Sequence, residues 1–387
     1  MNKKELELYI HIPFCVRKCS YCDFLSAPAT EQTREAYMAA LFAEIGGRAK
    51  DYSDRTVTSI FIGGGTPSLL SGEQIGQLMD CIREQFAMAQ DAEITMEVNP
   101  GTASAEKLRN FYTAGINRLS IGMQSAQAEE LKNLGRIHDF EGFCQVYREA
   151  VEAGFTNINV DIMSGLPGQT LASYRDTLEK VLHLEPMPQH ISAYSLIVEE
   201  GTPFAAMAER GELPLPEEET ERAMYEETIE VLAKYGFHRY EISNYARDGY
   251  ECRHNVGYWI RRDYLGFGIG AASLIDNVRF QNEKSLGTYL AHPLESREEE
   301  QTLTVQDRME ETMFLGLRLT RGVSCVDFAE QYGRTVEEVY GEVIARNVAD
   351  GLLTVTERKE NQKKDRFLAL TKRGLDLSNY VMAQFLF

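Results

Sequence analysis

The chain has 387 residues, 43% of them hydrophobic, and a formal net charge of −19. That length holds one large domain and a smaller one, with apolar residues enough for an α/β core. The acidity argues against a nucleic-acid partner, because such binding rests on Lys and Arg neutralising phosphates. No run approaches a membrane span. The odd number of cysteines, seven, and a start without an apolar signal core point to a reducing, cytoplasmic setting.

The first element is the run Leu8-Tyr9-Ile10-His11-Ile12, apolar and β-branched enough for a strand. Pro13 ends it, which leaves Cys15, Cys19 and Cys22 in the following loop. A helix is expected over 30–50, then a buried strand over 57–62 that runs into Gly63-Gly64-Gly65-Thr66-Pro67. A helix to about residue 86 and a strand over 93–98 follow. Leu108, Phe111 and Tyr112 give 104–113 a helical apolar face. The next strand covers 118–124. Phe140, Phe143, Cys144, Tyr147 and Val151 mark a long amphipathic helix. Then come a strand over 157–163, a helix through Leu171, Tyr174, Leu178 and Val181, and a sixth strand over 190–197. Cys81, Cys144 and Cys325 fall in helical patterns and read as small buried hydrophobes.

Strand and helix alternating six times imply a parallel sheet with right-handed crossovers. In an open sheet the ligand sits at one switch point, so few strand ends carry special residues. Here Cys15–Cys22, Gly63–Thr66, Glu97, Gln124 and Asp161 stand at nearly all of them. They converge if the strands curve into a barrel with one active face.

Pro214-Leu-Pro-Glu-Glu-Glu-Thr-Glu opens a further helix, with Pro and acids suited to its first turn. The acidic stretch 295–300 reads as a linker. Beyond it, helices are expected over 305–319, 325–332 and 336–350. A hairpin follows, formed by 351–356 and 366–370 around the polar segment 357–365, and then a last helix from Lys372. This is a winged-helix pattern without a basic recognition helix, so it reads as a packing or docking unit. The expected division is a barrel over 1–210, a barrel-completing segment over 211–295 and a winged-helix-like domain over 296–387.

Three thiols within eight residues can be drawn onto one inorganic centre. Structural zinc takes four protein ligands, and the chain has no second C-x2-C pair. An iron–sulfur cubane held by three cysteines, with one iron left open, is the simplest reading. The Cys15-x3-Cys19-x2-Cys22 spacing after the Tyr9-Ile-His-Ile-Pro-Phe14 strand resembles the signature of the radical SAM superfamily. The resemblance implies a partial (β/α)6 barrel and a [4Fe–4S] cluster whose open iron is chelated by S-adenosylmethionine (SAM). It also implies a reductant for the cluster.

Further segments narrow the likeness. Ile116-Asn-Arg-Leu-Ser-Ile-Gly-Met-Gln-Ser125, Leu134-Gly-Arg-Ile-His138, Asp161-Ile-Met-Ser-Gly-Leu-Pro-Gly-Gln169 and Tyr240-Glu-Ile-Ser-Asn-Tyr-Ala246 resemble oxygen-independent coproporphyrinogen III oxidases and their relatives. In that group the positions matching Tyr9, Gly64, Glu97 and Ala272 touch cluster-bound SAM. Those matching Gly65, Thr66, Gln124, Arg136 and Asp161 line a second SAM site. By themselves the glycines read equally as a tight turn, and Glu97 as a solvated strand-end acid.

Three features resemble the haem-chaperone branch of that group, HemW, rather than the oxidases. Phe24 stands where the oxidases carry a further cysteine. The chain starts almost at the first strand, without their N-terminal extension. The stretch His254-Asn255-Val-Gly-Tyr258-Trp259 matches the H-N-x-x-Y-W motif, and Trp259 is the sole tryptophan. The likeness implies haem binding through these four residues and transfer of haem to an apo-haemoprotein. A neutral imidazole suits haem iron, and the aromatics offer flat apolar surface. Without the likeness, the same residues read as a loop histidine packed among aromatics. Cys252 reads as a plain buried thiol. The 266–273 stretch, Gly266-Phe-Gly-Ile-Gly-Ala-Ala-Ser273, reads as a close approach of backbone to cofactor. An oxidase acting on coproporphyrinogen III is the alternative, and SAM cleavage is left open.

Overall fold

The computed structural model describes residues 3–295, 297–360 and 363–386. Its first half repeats strand and helix: β1 Lys4–Ile12, α1 Glu31–Arg48, β2 Arg55–Gly64, α2 Gly72–Gln85, β3 Ala87–Val98, α3 Ala105–Thr113 and β4 Arg118–Gln124. It continues through α4 Ala128–Leu134, α5 Phe140–Ala153, β5 Ile158–Ser164, α6 Leu171–Leu182 and β6 His190–Ser195. Neighbouring strands from β1 to β6 pair in parallel. The helix layer keeps the outward residues of these strands apolar, and every residue of β4 is buried. The helices start where local chemistry says they should. Ser71 and Gln74 form a reciprocal capping box on α2, and Thr170 and Ser173 do so on α6.

Next come α7 Pro203–Glu209, α8 Glu218–Lys234, β7 His238–Arg239, β8 Asn244–Ala246, α9 Arg253–Trp259, β9 Tyr264–Phe267, β10 Ala272–Ile275, β11 Val278–Asn282, α10 Leu286–Ala291 and β12 Arg297–Thr302. They extend the sheet at both edges. Among the described residues it has twelve strands in the order β12-β11-β10-β9-β1-β2-β3-β4-β5-β6-β8-β7. The two ends of that order do not pair, so the sheet is a partial barrel. Its six parallel strands, β1 to β6, carry most of the site.

The acidic stretch expected to be a linker is corrected here. Arg297–Thr302 is a strand paired antiparallel with β11, and all six of its residues are exposed. Charge on an exposed strand is how a sheet edge avoids pairing with another chain, so a run that looks like a tether becomes an edge.

The C-terminal unit is α11 Val305–Gly316, β13 Val323–Ser324, α12 Cys325–Tyr332, α13 Val336–Ala349, β14 Leu353–Glu360, β15 Lys363–Leu370, α14 Lys372–Asp376 and α15 Ser378–Ala383. The first three of these helices and a three-stranded sheet, ordered β13-β15-β14, give the winged-helix-like arrangement. The polar segment expected between the hairpin arms is mostly strand. Its centre, residues 361–362, lies outside the described residues. This unit packs around its own core, which includes Met313, Phe328, Val336, Leu368 and Phe385. It is tied to the barrel by Glu311, which pairs with Arg261 at 2.8 Å and Arg279 at 2.7 Å. Cys81, Cys144 and Cys325, expected to be buried, are half-buried residues at the margins of these cores.

Candidate functional site

A cavity of about 500 Å³ opens at the C-terminal ends of the parallel strands. Cys15, Cys19 and Cys22 border it, all half-buried. Gly64, Gly65, Thr66, Glu97, Gln124, Arg136, Asp161 and Asn255 border it too. Burial raises the Cys22 thiol above its ordinary range. Thr66 Oγ1 donates to Cys15 Sγ at 3.4 Å, and Arg136 Nη1 points at Cys19 Sγ from 4.0 Å.

The glycine turn is fixed by contacts. Gly64 has φ +109°, which a side chain rarely adopts, and a Cβ there would meet the His11 ring at 2.5 Å. At Gly65 a Cβ would meet the Phe14 carbonyl oxygen at 2.7 Å. Backbone is thereby exposed to the cavity. The Gly64 N–H donates to Glu97 Oε2 at 3.0 Å. Burial, with the Asp161 charge nearby, pushes the Glu97 carboxyl up to about 8. Asp161 is raised by burial, although it accepts from Asn159 Nδ2 at 2.7 Å and Ser120 Oγ at 3.3 Å. Neither end of this pair is a solvated acid. Each keeps acceptor capacity for a ligand hydroxyl or ammonium. Gln124 adopts φ +70° at the end of β4 and accepts from Tyr194 OH at 3.0 Å. Left-handed backbone at a non-glycine residue is the kind of strain that clusters at binding sites.

These residues fit an iron–sulfur cluster with SAM. The donors are three soft thiols on one loop, and none of the other four cysteines borders the cavity. Among the described residues no three His, Cys, Asp or Glu side chains already stand as a metal-holding group. The loop therefore supplies the donors without having gathered them.

Two other expected contacts stand apart. Tyr9 lies one layer back, bonding His11 Nδ1 at 3.0 Å and stacking on Phe61, which itself borders the cavity. Ala272 is exposed and does not border it. The 266–273 stretch packs on its own chain. A Cβ on Gly266 would strike the Ala272 carbonyl, and one on Gly268 the Tyr37 hydroxyl. Gly268 thus approaches Tyr37 of α1, and Gly270 lies against Leu25, just past the cysteine loop.

The histidine–aromatic motif is also placed differently from expectation. It is helical, forming α9, which plugs the barrel from the end opposite the cysteine loop. His254 is 1% exposed. Its Nδ1 bonds Ser59 Oγ at 2.9 Å and its Nε2 bonds Tyr258 OH at 3.0 Å. The ring stacks on Phe61 at 5.3 Å, and burial lowers its basicity to about 3. Neither ring nitrogen is open to iron. Trp259 carries the Arg318 guanidinium over its ring at 4.3 Å, which fastens the barrel to the C-terminal unit. Tyr258 stands edge-on to Tyr264 at 4.7 Å. Asn255 alone of the four borders the cavity. Cys252 is fully buried against Glu93, its thiol pushed up to about 12 by that burial.

Sequence reasoning missed the cavity floor: Arg118, Asn159, Ser192 and Asn244. The signal was present in the period-two alternation of the strands. Arg118, Ser120, Gly122 and Gln124 all face inward from β4, as Asn159 and Asp161 do from β5.

Comparison with known proteins agrees with this geometry. The model of the radical SAM superfamily matches residues 9–181, and that of the HemN C-terminal domain matches 303–377. The chain is 38% identical over 385 residues to heme chaperone HemW of Bacillus subtilis, covering 98% of both chains. It is 36% identical to HemW of Lactococcus lactis, over 100% of this chain and 98% of that one. The chain belongs to the HemW family. That family lies within the radical SAM superfamily, and its members include HemW of Escherichia coli, 37% identical over 90% of this chain and 92% of that one. A solved relative is the coproporphyrinogen III oxidase HemN of Escherichia coli, a radical SAM enzyme. It superposes with a TM-score of 0.84 at 28% identity, covering 100% of this chain and 91% of that one. The HemW likeness thus spans barrel and C-terminal unit together.

Proposed function

We infer that this chain is a haem chaperone, which holds a [4Fe–4S] cluster and SAM in the barrel cavity and passes haem to an acceptor apoprotein. The observation that carries the reading is the near-full-length likeness to proteins named heme chaperone HemW. Cys15, Cys19 and Cys22 are the cluster ligands in this reading. A cluster bound there supplies an open iron for the amino and carboxylate groups of SAM, and one-electron reducing power from an external donor. Gly64, Gly65 and Thr66 hold the ligand against exposed backbone. Glu97, Asp161 and Gln124 accept from its hydroxyl and ammonium groups, and Arg136 balances thiolate charge. Haem is received in the same cavity, with Asn255 as the motif residue that meets it. The setting is the cytoplasm; no described helix is long and apolar enough to cross a membrane.

The test is a haem titration of the purified protein followed at the Soret band. Saturable binding supports the reading, and its absence removes it. A second reading, an oxidase that decarboxylates coproporphyrinogen III, draws on the whole-chain superposition with HemN. Anaerobic incubation of the reduced, cluster-loaded protein with coproporphyrinogen III and SAM separates the two. Formation of protoporphyrinogen favours the oxidase.

A further inference from the structure

Arg118 begins β4 on its inward side, is 2% exposed and borders the cavity floor. Its guanidinium makes no hydrogen bond or close ion pair with any described residue, and Nε is buried without a partner. A guanidinium stays charged at any working pH and carries five donors, so burying it unpaired is costly.

The acids nearest to it are committed elsewhere. Glu93 caps α9, accepting from Cys252 Sγ at 3.5 Å and from the Arg253 and His254 N–H groups at 3.2 Å each. Asp161 is held by Asn159 and Ser120. The other floor side chains form an uncharged ring, in which Ser192 Oγ lies 3.1 Å from Asn159 Oδ1 and 2.7 Å from Asn244 Oδ1. Nothing in the wall completes the cation, so its partner must be an anion entering through the cavity. The guanidinium fork matches a carboxylate with two parallel hydrogen bonds.

We propose that Arg118 is a carboxylate-receiving site at the floor of the barrel cavity and anchors an acidic substituent of the ligand. This rests on the reading of the cavity as a haem and SAM site, and both ligands carry carboxylates: the propionates of haem and the amino-acid end of SAM.

Full-length, cluster-reconstituted protein tests it, as wild type, Arg118→Lys and Arg118→Met. Haem and haem dimethyl ester are titrated at the Soret band, and SAM by equilibrium dialysis. Affinity for the anchored ligand falls about 10- to 100-fold in Arg118→Met, with Arg118→Lys between, because lysine keeps the charge and loses the fork. If the anchor takes a propionate, the wild type prefers haem over its ester by a similar factor, Arg118→Met binds both alike, and SAM binding is unchanged. If it takes the SAM carboxylate, only SAM is weakened, and the ratio of haem to ester is the same in all three proteins.

Should the Met variant fail to fold, the Lys variant and the ester comparison on wild type still decide. Equal wild-type affinity for haem and ester, together with undiminished SAM binding in Arg118→Lys, overturns the proposal and leaves the chaperone reading standing. A protein that binds neither haem nor SAM overturns both.

Discussion

Replacing His254 by alanine separates a ligand from a clamp. The imidazole is buried and bonds Ser59 and Tyr258 at 2.9 and 3.0 Å while stacking on Phe61. Its removal loses two hydrogen bonds of about 1 kcal/mol each and one ring contact of similar size, and strands two hydroxyls. The sum is about 3–4 kcal/mol, at the upper end of single-residue effects. At pH 7 this lowers the urea midpoint by about 1 M for a denaturant slope near 3 kcal/mol/M. His254→Gln, whose amide can donate and accept, loses about half as much. The native histidine refuses a proton between about 3 and 6.5 that the unfolded chain takes, so the wild type loses stability as pH falls through that window. Its advantage over the alanine variant shrinks accordingly. Haem spectra taken where both proteins are folded show the same Soret position, because the imidazole holds α9 rather than iron. A variant as stable as the wild type with a displaced Soret band would refute the reasoning.

Replacing Cys15, Cys19 and Cys22 together by alanine abolishes iron and acid-labile sulfide after anaerobic reconstitution; retention of both in the triple variant would contradict the ligand assignment. Gly65→Ala presses a methyl group onto the Phe14 and Ile12 carbonyl oxygens at 2.7 and 2.9 Å, so β1 and β2 must part. A loss of about 1–3 kcal/mol in urea unfolding, with weakened SAM binding in dialysis, is expected. Glu7 is fully buried, and that burial raises its carboxyl from 4.5 to about 8. The native state keeps a proton there that the unfolded chain releases, so stability falls as pH rises from 4.5 to 8, by at most about 5 kcal/mol. Glu7→Gln flattens that slope, and an unchanged slope in a pH series of unfolding curves would count against it.

The alternation of β1 to β6 with helices, the thiol loop, the glycine turn and the family likeness were all legible in the chain, because each depends on residues close in sequence. Short-range hydrophobic period, Pro13 and clustered cysteines are enough for that. Several strands between β6 and the C-terminal hairpin were not legible. β7 and β8 have two and three residues, and β12 is polar and exposed throughout, with three glutamates among its six residues, so none of these three carries a periodic apolar signal. The sequence also could not reveal which way a local motif faces. His254, Tyr258 and Trp259 look like a ligand set when read in line. Only the packing of α9 against Ser59, Phe61 and Arg318 shows them already engaged. Conversely, Arg118 looks like an ordinary strand residue. It becomes a bare buried cation because Glu93 is drawn away to α9 and Asp161 to Ser120, contacts that span 160 and 41 residues of chain. What lies near in sequence was fixed by local chemistry, and what each group is left to bind was decided by partners that only the folded sheet brings together.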